Sequence, residues 1–185
     1  MRVANDAVAV RKRICRMLRS RSMPPLSEWQ TLLALQGGAA ATLTGLVFVA
    51  VSINLARIVE TPGLSGRAAE SILVFLQVFF VCTATLIPRQ PMTALGAEVL
   101  AVALLSWVLQ GIAQIRYLKT RSGHPLLWLA MRIVQTQLAS VPFVVAAVFL
   151  LYGWPGGLYW LVPGFVFSFV AGVANAWVLL VEIVR

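Results

Sequence analysis

Few side chains here could support chemistry: six acidic residues, one histidine (His124) and two cysteines (Cys15 and Cys82) in 185 positions. Neither cysteine has a CxxC partner, and His124 is far from both, so the spacing of a structural zinc site is absent. Cys15 lies in a basic tail and Cys82 in an apolar run, which suggests no disulfide framework. The serines and acids are not accompanied by a GxSxG elbow, an HExxH pair, a glycine-rich phosphate loop or clustered carboxylates. The sequence therefore nominates no catalytic residue, no metal and no cofactor, and reads as that of a protein that is not an enzyme.

What it does offer is polar side chains placed inside long apolar stretches: Asn54, Gln77, Glu98, Gln110, Gln114, Arg132, Gln135, Gln137 and Asn175. Such groups are costly in lipid and face protein or water. Glu98 is the sharpest of them, since it lies about 10 Å along a helix from Pro91, where a carboxylate needs a partner. It reads either as a cation or proton site or as an interhelical hydrogen-bonding group. Gln110 and Gln114 share one helical face. If Asn54, Glu98, Gln110, Gln114 and Asn175 line a pore, they must converge on a continuous wet path. If they serve packing, they find partners and leave no path. Arg132 falls near the start of its apolar stretch and reads as an interfacial anchor whose head snorkels to the membrane surface.

The elements that must carry these residues follow from composition. Hydrophobic residues make up 60% of the chain and charged residues 11%, against roughly 45–50% and 25% in soluble domains, and the mean hydropathy is +0.88. A water-soluble fold of this size needs a charged surface, whereas a protein dissolved in lipid leaves Leu, Val and Phe facing outward. Stretches of about 20 residues nearly free of charge cross a hydrocarbon core of about 30 Å. Five are present: Thr31 to Leu55, Ala68 to Ile87, Met92 to Ile115, Leu129 to Tyr152 and Leu158 to Val181. Pro88-Arg89-Gln90-Pro91 and Gly153-Trp154-Pro155-Gly156-Gly157 break the helical pattern, and Pro142 and Pro163 are expected to kink the last two spans. Trp154, Tyr159 and Trp160 read as an aromatic belt at one interface. The fold class is thus all-α, a polytopic transmembrane bundle of about five spans over residues 31–185, preceded by a basic segment, residues 1–30. No internal repeat supports an inverted-repeat transporter.

The net charge of +9 is not a nucleic-acid signal, because Arg2, Arg11, Lys12, Arg13, Arg16, Arg19 and Arg21 place much of it in a short tail beside membrane spans. Val10, Ile14, Met17 and Leu18 recur at helical spacing opposite Arg11, Lys12, Arg13, Arg16 and Arg19, which suits a helix lying on anionic lipid headgroups. A solvated basic tail is the other reading. Membrane lipid, and no nucleic acid, is the expected partner. Orientation is contradictory under the positive-inside rule. The loops carrying Arg57, Arg67, Arg116, Lys119 and Arg121 favour one direction, and the tail favours the other unless the first span returns without crossing.

Two faces of small residues complete the pattern. Gly37, Ala41 and Gly45 in the first span, and Gly164, Ser168, Gly172 and Ala176 in the fifth, recur every four residues and allow close helix approach, within one chain or between copies. The stretch GGAAATLTGLVFVAVSINL, Gly37 to Leu55, resembles the first span of a family of small, uncharacterised bacterial integral membrane proteins. GLYWLVPGFVFSFVAGVANAWVLLVEI, Gly157 to Ile183, is similar to the last span of the same family. The resemblance implies a helical bundle in a bacterial inner membrane and brings no catalytic residues. The segment LTGLVFVAV, Leu43 to Val51, is similar in pattern to the pore-lining first span of Orai-type calcium channels. Ser52, Ile53 and Asn54 stand where that family needs a selectivity carboxylate. Together these features imply an integral membrane protein that acts through helix contacts and self-association, with a homo-oligomeric channel or small transporter as the alternative.

Overall fold

A computed structural model describes residues 26–60, 64–120 and 126–184. The tail residues Arg11, Lys12, Arg13, Arg16 and Arg19, with the amphipathic helix expected there, lie outside the described residues. The helices are α1 (Leu26–Ile53), α2 (Leu55–Glu60), α3 (Leu64–Thr85), α4 (Met92–Thr120), α5 (Leu126–Leu151), a 3-10 helix (Pro155–Trp160) and α6 (Leu161–Val184). Five of them are long and apolar enough to cross a membrane. The chain divides after Gln30 into two units, and the second, residues 31–185, holds every helix from Thr31 of α1 onward.

Helices run past the expected span ends because a helix satisfies its own backbone, so one charge does not stop it. Thus α3 takes in Leu64 to Arg67 and α4 runs through Arg116 and Lys119 to Thr120. What stops a helix is a residue that supplies a different backbone conformation. After α5, Gly153 takes a left-handed φ of 67°. Trp154 N–H then donates to Phe149 O at 2.8 Å and Gly153 N–H to Leu150 O at 3.1 Å, the paired bonds of a Schellman cap. Trp154 packs back on Phe149 with ring centroids 5.3 Å apart, the hydrophobic contact that accompanies this cap. Between α3 and α4, Arg89 adopts a φ of 58°.

Pro163 does not interrupt a span as expected. It stands in the first turn of α6, where the missing N–H would have had no partner within that helix. Pro142 does lie inside α5.

Helices α3, α4, α5 and α6 form a closed ring in which each packs on the next and α6 returns to α3. Neighbours are antiparallel, so α3 and α5 face each other across the centre and run the same way. Val74 of α3, Ala139 of α5 and Ala171 of α6 meet there in one buried cluster. Helix α1 stands outside the ring, largely exposed along its length. Its hydroxyls turn onto their own helix: Thr42 donates to Gly38 O at 2.9 Å, Thr44 to Ala40 O at 2.8 Å and Ser52 to Phe48 O at 2.8 Å. A helix that satisfies its polar groups internally can face lipid. After α1 the chain returns to the ring through Ile58, which is buried with Leu64, Ala68 and Leu179.

Candidate functional site

Most of the ring's buried polar residues lie toward one end. Glu70 on α3 and Arg132 on α5 each lie six residues from their helix starts, about 9 Å in. Because α3 and α5 run parallel, the two side chains reach the centre at one level and pair. Arg132 Nη2 donates to Glu70 Oε1 at 2.7 Å and Nε donates to Oε2 at 3.1 Å. The exposures are 5% and 2%, so this is a bidentate pair in a desolvated setting. Arg67, one turn before Glu70, is buried as well.

Further hydrogen bonds tie α5 to the other two helices of the ring. Gln114 of α4 donates from Nε2 to Thr136 Oγ1 at 2.5 Å, and that hydroxyl donates to Arg132 O at 3.1 Å. Gln110 Nε2 donates to Ser106 Oγ at 2.9 Å within α4. Toward α6, Gln135 Nε2 donates to Ala171 O at 3.0 Å and Ser168 Oγ to Ala139 O at 3.3 Å. Ser71, Gln77 and Ser140 are also buried, and their side-chain polar atoms have no hydrogen-bond partner among the described residues.

The opposite end is closed by glycines against bulk. A Cβ built on Gly164 would lie 2.9 Å from the Phe143 ring, one on Gly157 2.9 Å from Leu150 Cγ, and one on Gly96 2.8 Å from Leu151 N. Only hydrogen fits at those positions, which draws α4, the 3-10 helix and α6 tightly onto α5.

The residues nominated as pore or polar contacts do not come together. Gln114 bonds across to α5 and Gln110, buried one turn before it, bonds within α4, whereas Glu98, half-buried, sits about 18 Å from Gln110 toward the other end of α4. Asn54 follows α1, outside the ring, and donates from Nδ2 to Ala50 O at 2.9 Å. Asn175 is buried on α6.

The small-residue faces also divide. On α6, Gly164 meets Phe143, a Cβ on Gly172 would overlap the Phe75 ring, and Ser168 bonds α5. Ala176 is half-buried and lines an apolar cleft of about 240 Å³ beside α1. Of the small-residue face of α1 only Gly37 is drawn close, its Cβ position 3.2 Å from Cys82 Cβ. Packing within the chain, one of the two readings, does not extend to Ala41 and Gly45. Both are exposed, and a Cβ on Gly45 would meet nothing within 4 Å.

The interfacial reading of Arg132 is overturned: its head points into the ring and not back to the surface, because Glu70 offers both carboxylate oxygens there. That pair is what the sequence reasoning missed. A signal existed in one lone acid and one lone base at matching depths of two helices that an up-and-down bundle places parallel. Chemically the site is a neutralised, hydrogen-bonded charge pair joining non-adjacent helices. No metal-binding group of three or more His, Cys, Asp or Glu occurs among the described residues. Comparison with protein-family models, curated proteins and solved structures finds no match.

Proposed function

We propose that this chain is a structural or regulatory membrane bundle, in a bacterial inner membrane as the resemblance implies, that works through helix contacts and associates with itself through α1. The observation that carries the reading is the contrast between the two small-residue faces. The α6 face is filled by Phe143 and Phe75, while Gly38, Ala41, Thr42 and Gly45 of α1 are exposed and a Cβ on Gly38 or Gly45 would meet nothing within 4 Å. In lipid, association rests on close van der Waals approach, which small residues permit. The channel or transporter reading draws less support, since Gln110 and Gln114 bond within the ring and Glu98 and Asn54 stand apart from them.

The test is oxidative crosslinking in native membranes, starting from a cysteine-free chain with Cys15→Ser and Cys82→Ala. Ala41→Cys and Gly45→Cys should give covalent dimers, and Val47→Cys, buried at 7% exposure, should not. Equal and negligible crosslinking at all three positions would refute the reading.

A further inference from the structure

Helix α1 buries a narrow line of side chains, Leu33, Ala40 and Val47, and beside it an apolar cleft of about 240 Å³ opens between α1 and α6. Leu43, Leu46 and Ala50 of α1 form one wall and Val173, Ala176 and Leu180 of α6 the other, with Phe75 of α3 between them. Phe75 is held there by Phe169, with ring centroids 5.9 Å apart, and by the close approach of Gly172. The mouth faces outward, since Leu46 is 61% and Val173 52% exposed, and on a membrane-spanning bundle that direction is hydrocarbon. Apolar walls lose dispersion contacts unless apolar matter lies between them.

Depth and shape select that matter. Leu43 to Ala50 lie about 15 to 5 Å along the helix from the end of α1 at Ile53. One leaflet supplies about 15 Å of a 30 Å hydrocarbon core, so the cleft runs within a single leaflet. Spread over about 10 Å of helix, its volume gives a mean cross-section of roughly 25 Å², against roughly 80 Å² for a helix about 10 Å across. A helix of a second copy is too wide to enter, and a single hydrocarbon chain is not. At the end nearest Ile53, Ile58 of α2 is buried with Leu179, which also lines the cleft. Arg57, next to Ile58, is exposed at that level and forms no ion pair with Glu60 one turn on. A guanidinium there complements a phosphate.

We propose that the cleft between α1 and α6 is a phospholipid site, in which one acyl chain lies against Phe75 between the two helices and Arg57 holds the lipid phosphate. The site goes beyond self-association through α1 and does not use Gly38, Ala41 or Gly45.

The experiment titrates the full-length chain in detergent with dipalmitoyl phosphatidylglycerol and counts bound lipid by native mass spectrometry. The parent should hold one lipid per chain. Ala50→Phe and Ala176→Phe fill the cleft from opposite walls, and each should weaken binding at least about tenfold. Leu105→Phe, on an exposed face of α4 away from the cleft, should leave it unchanged. Arg57→Gln should weaken phosphatidylglycerol about fivefold and leave dipalmitoylglycerol, which has no phosphate, unchanged. A parent without bound lipid, or filled variants that melt like the parent and bind as it does, overturns the proposal. Filled variants that lose dimers and keep lipid make a second copy the occupant and overturn it too. An Arg57→Gln effect equal for both lipids overturns the placement of the phosphate. With two walls to fill, a variant that fails to fold leaves the other to decide.

Discussion

Cutting the Glu70–Arg132 pair from one side should damage the protein far more than removing it whole. The two side chains are 2% and 5% exposed and share bonds of 2.7 and 3.1 Å, so each is the other's replacement for water. Glu70→Leu leaves a guanidinium in the ring, and Arg132→Met leaves a carboxylate there. Glu70→Leu strands a buried charge, at a cost of about 3–5 kcal/mol, whereas Arg132→Met costs less, because Arg67, buried one turn before Glu70, still attracts the carboxylate. The larger loss is a factor of roughly a hundred to several thousand in the folded-to-unfolded ratio. The double variant Glu70→Leu/Arg132→Met puts apolar volume where the pair stood and should come within about 1 kcal/mol of the parent. The coupling energy of the cycle is then about 3 kcal/mol or more, against about 0.2–1 kcal/mol for an exposed pair. Reversible unfolding in mixed micelles, titrated with a denaturing detergent and followed by circular dichroism, measures all four corners. Single variants that each lose less than about 1 kcal/mol, or a double variant that loses the sum of the two, would refute the argument that this pair is desolvated and mutually dependent.

Gly172→Leu places a side chain where the Phe75 ring lies and should cost about 1–3 kcal/mol in the same unfolding assay, with Phe75→Leu in the same chain recovering part of the loss. Gly153→Ala must hold a left-handed φ at the end of α5 and should lower stability by about 1 kcal/mol, measured by thermal melting in detergent. The five apolar helices should keep the protein in the membrane pellet through an alkaline carbonate wash, and recovery in the supernatant would contradict the whole reading. A peptide of residues 1–22 should bind anionic vesicles in proportion to their charge and release them as salt rises; equal binding to neutral vesicles in high salt would remove the electrostatic account.

What the sequence determined by itself was the number, class and rough limits of the spans. Lipid solubility is a property of length and composition summed along a continuous stretch, so Met92 to Ile115 or Leu158 to Val181 can be recognised without knowing any neighbour. The turn at Gly153-Trp154-Pro155 was legible for the same reason, since a cap is built from residues adjacent in the chain. The fate of the polar residues was not. Glu98 and Glu70 look alike as lone carboxylates near the ends of apolar runs, yet Glu98 is half-buried on one side of α4 and Glu70 is locked to Arg132 at the centre of the ring. The two small-residue faces look alike too, and α6 turned its face into Phe143 and Phe75 while α1 left Ala41 and Gly45 outside. Both distinctions depend on which helices become neighbours and how each rotates about its axis. In a membrane every outward face is apolar, and the strongest periodic signal of a soluble helix, an apolar stripe against a polar one, is missing. The inward faces were therefore set by contacts between residues as far apart as Glu70 and Arg132, which only the tertiary structure brings together.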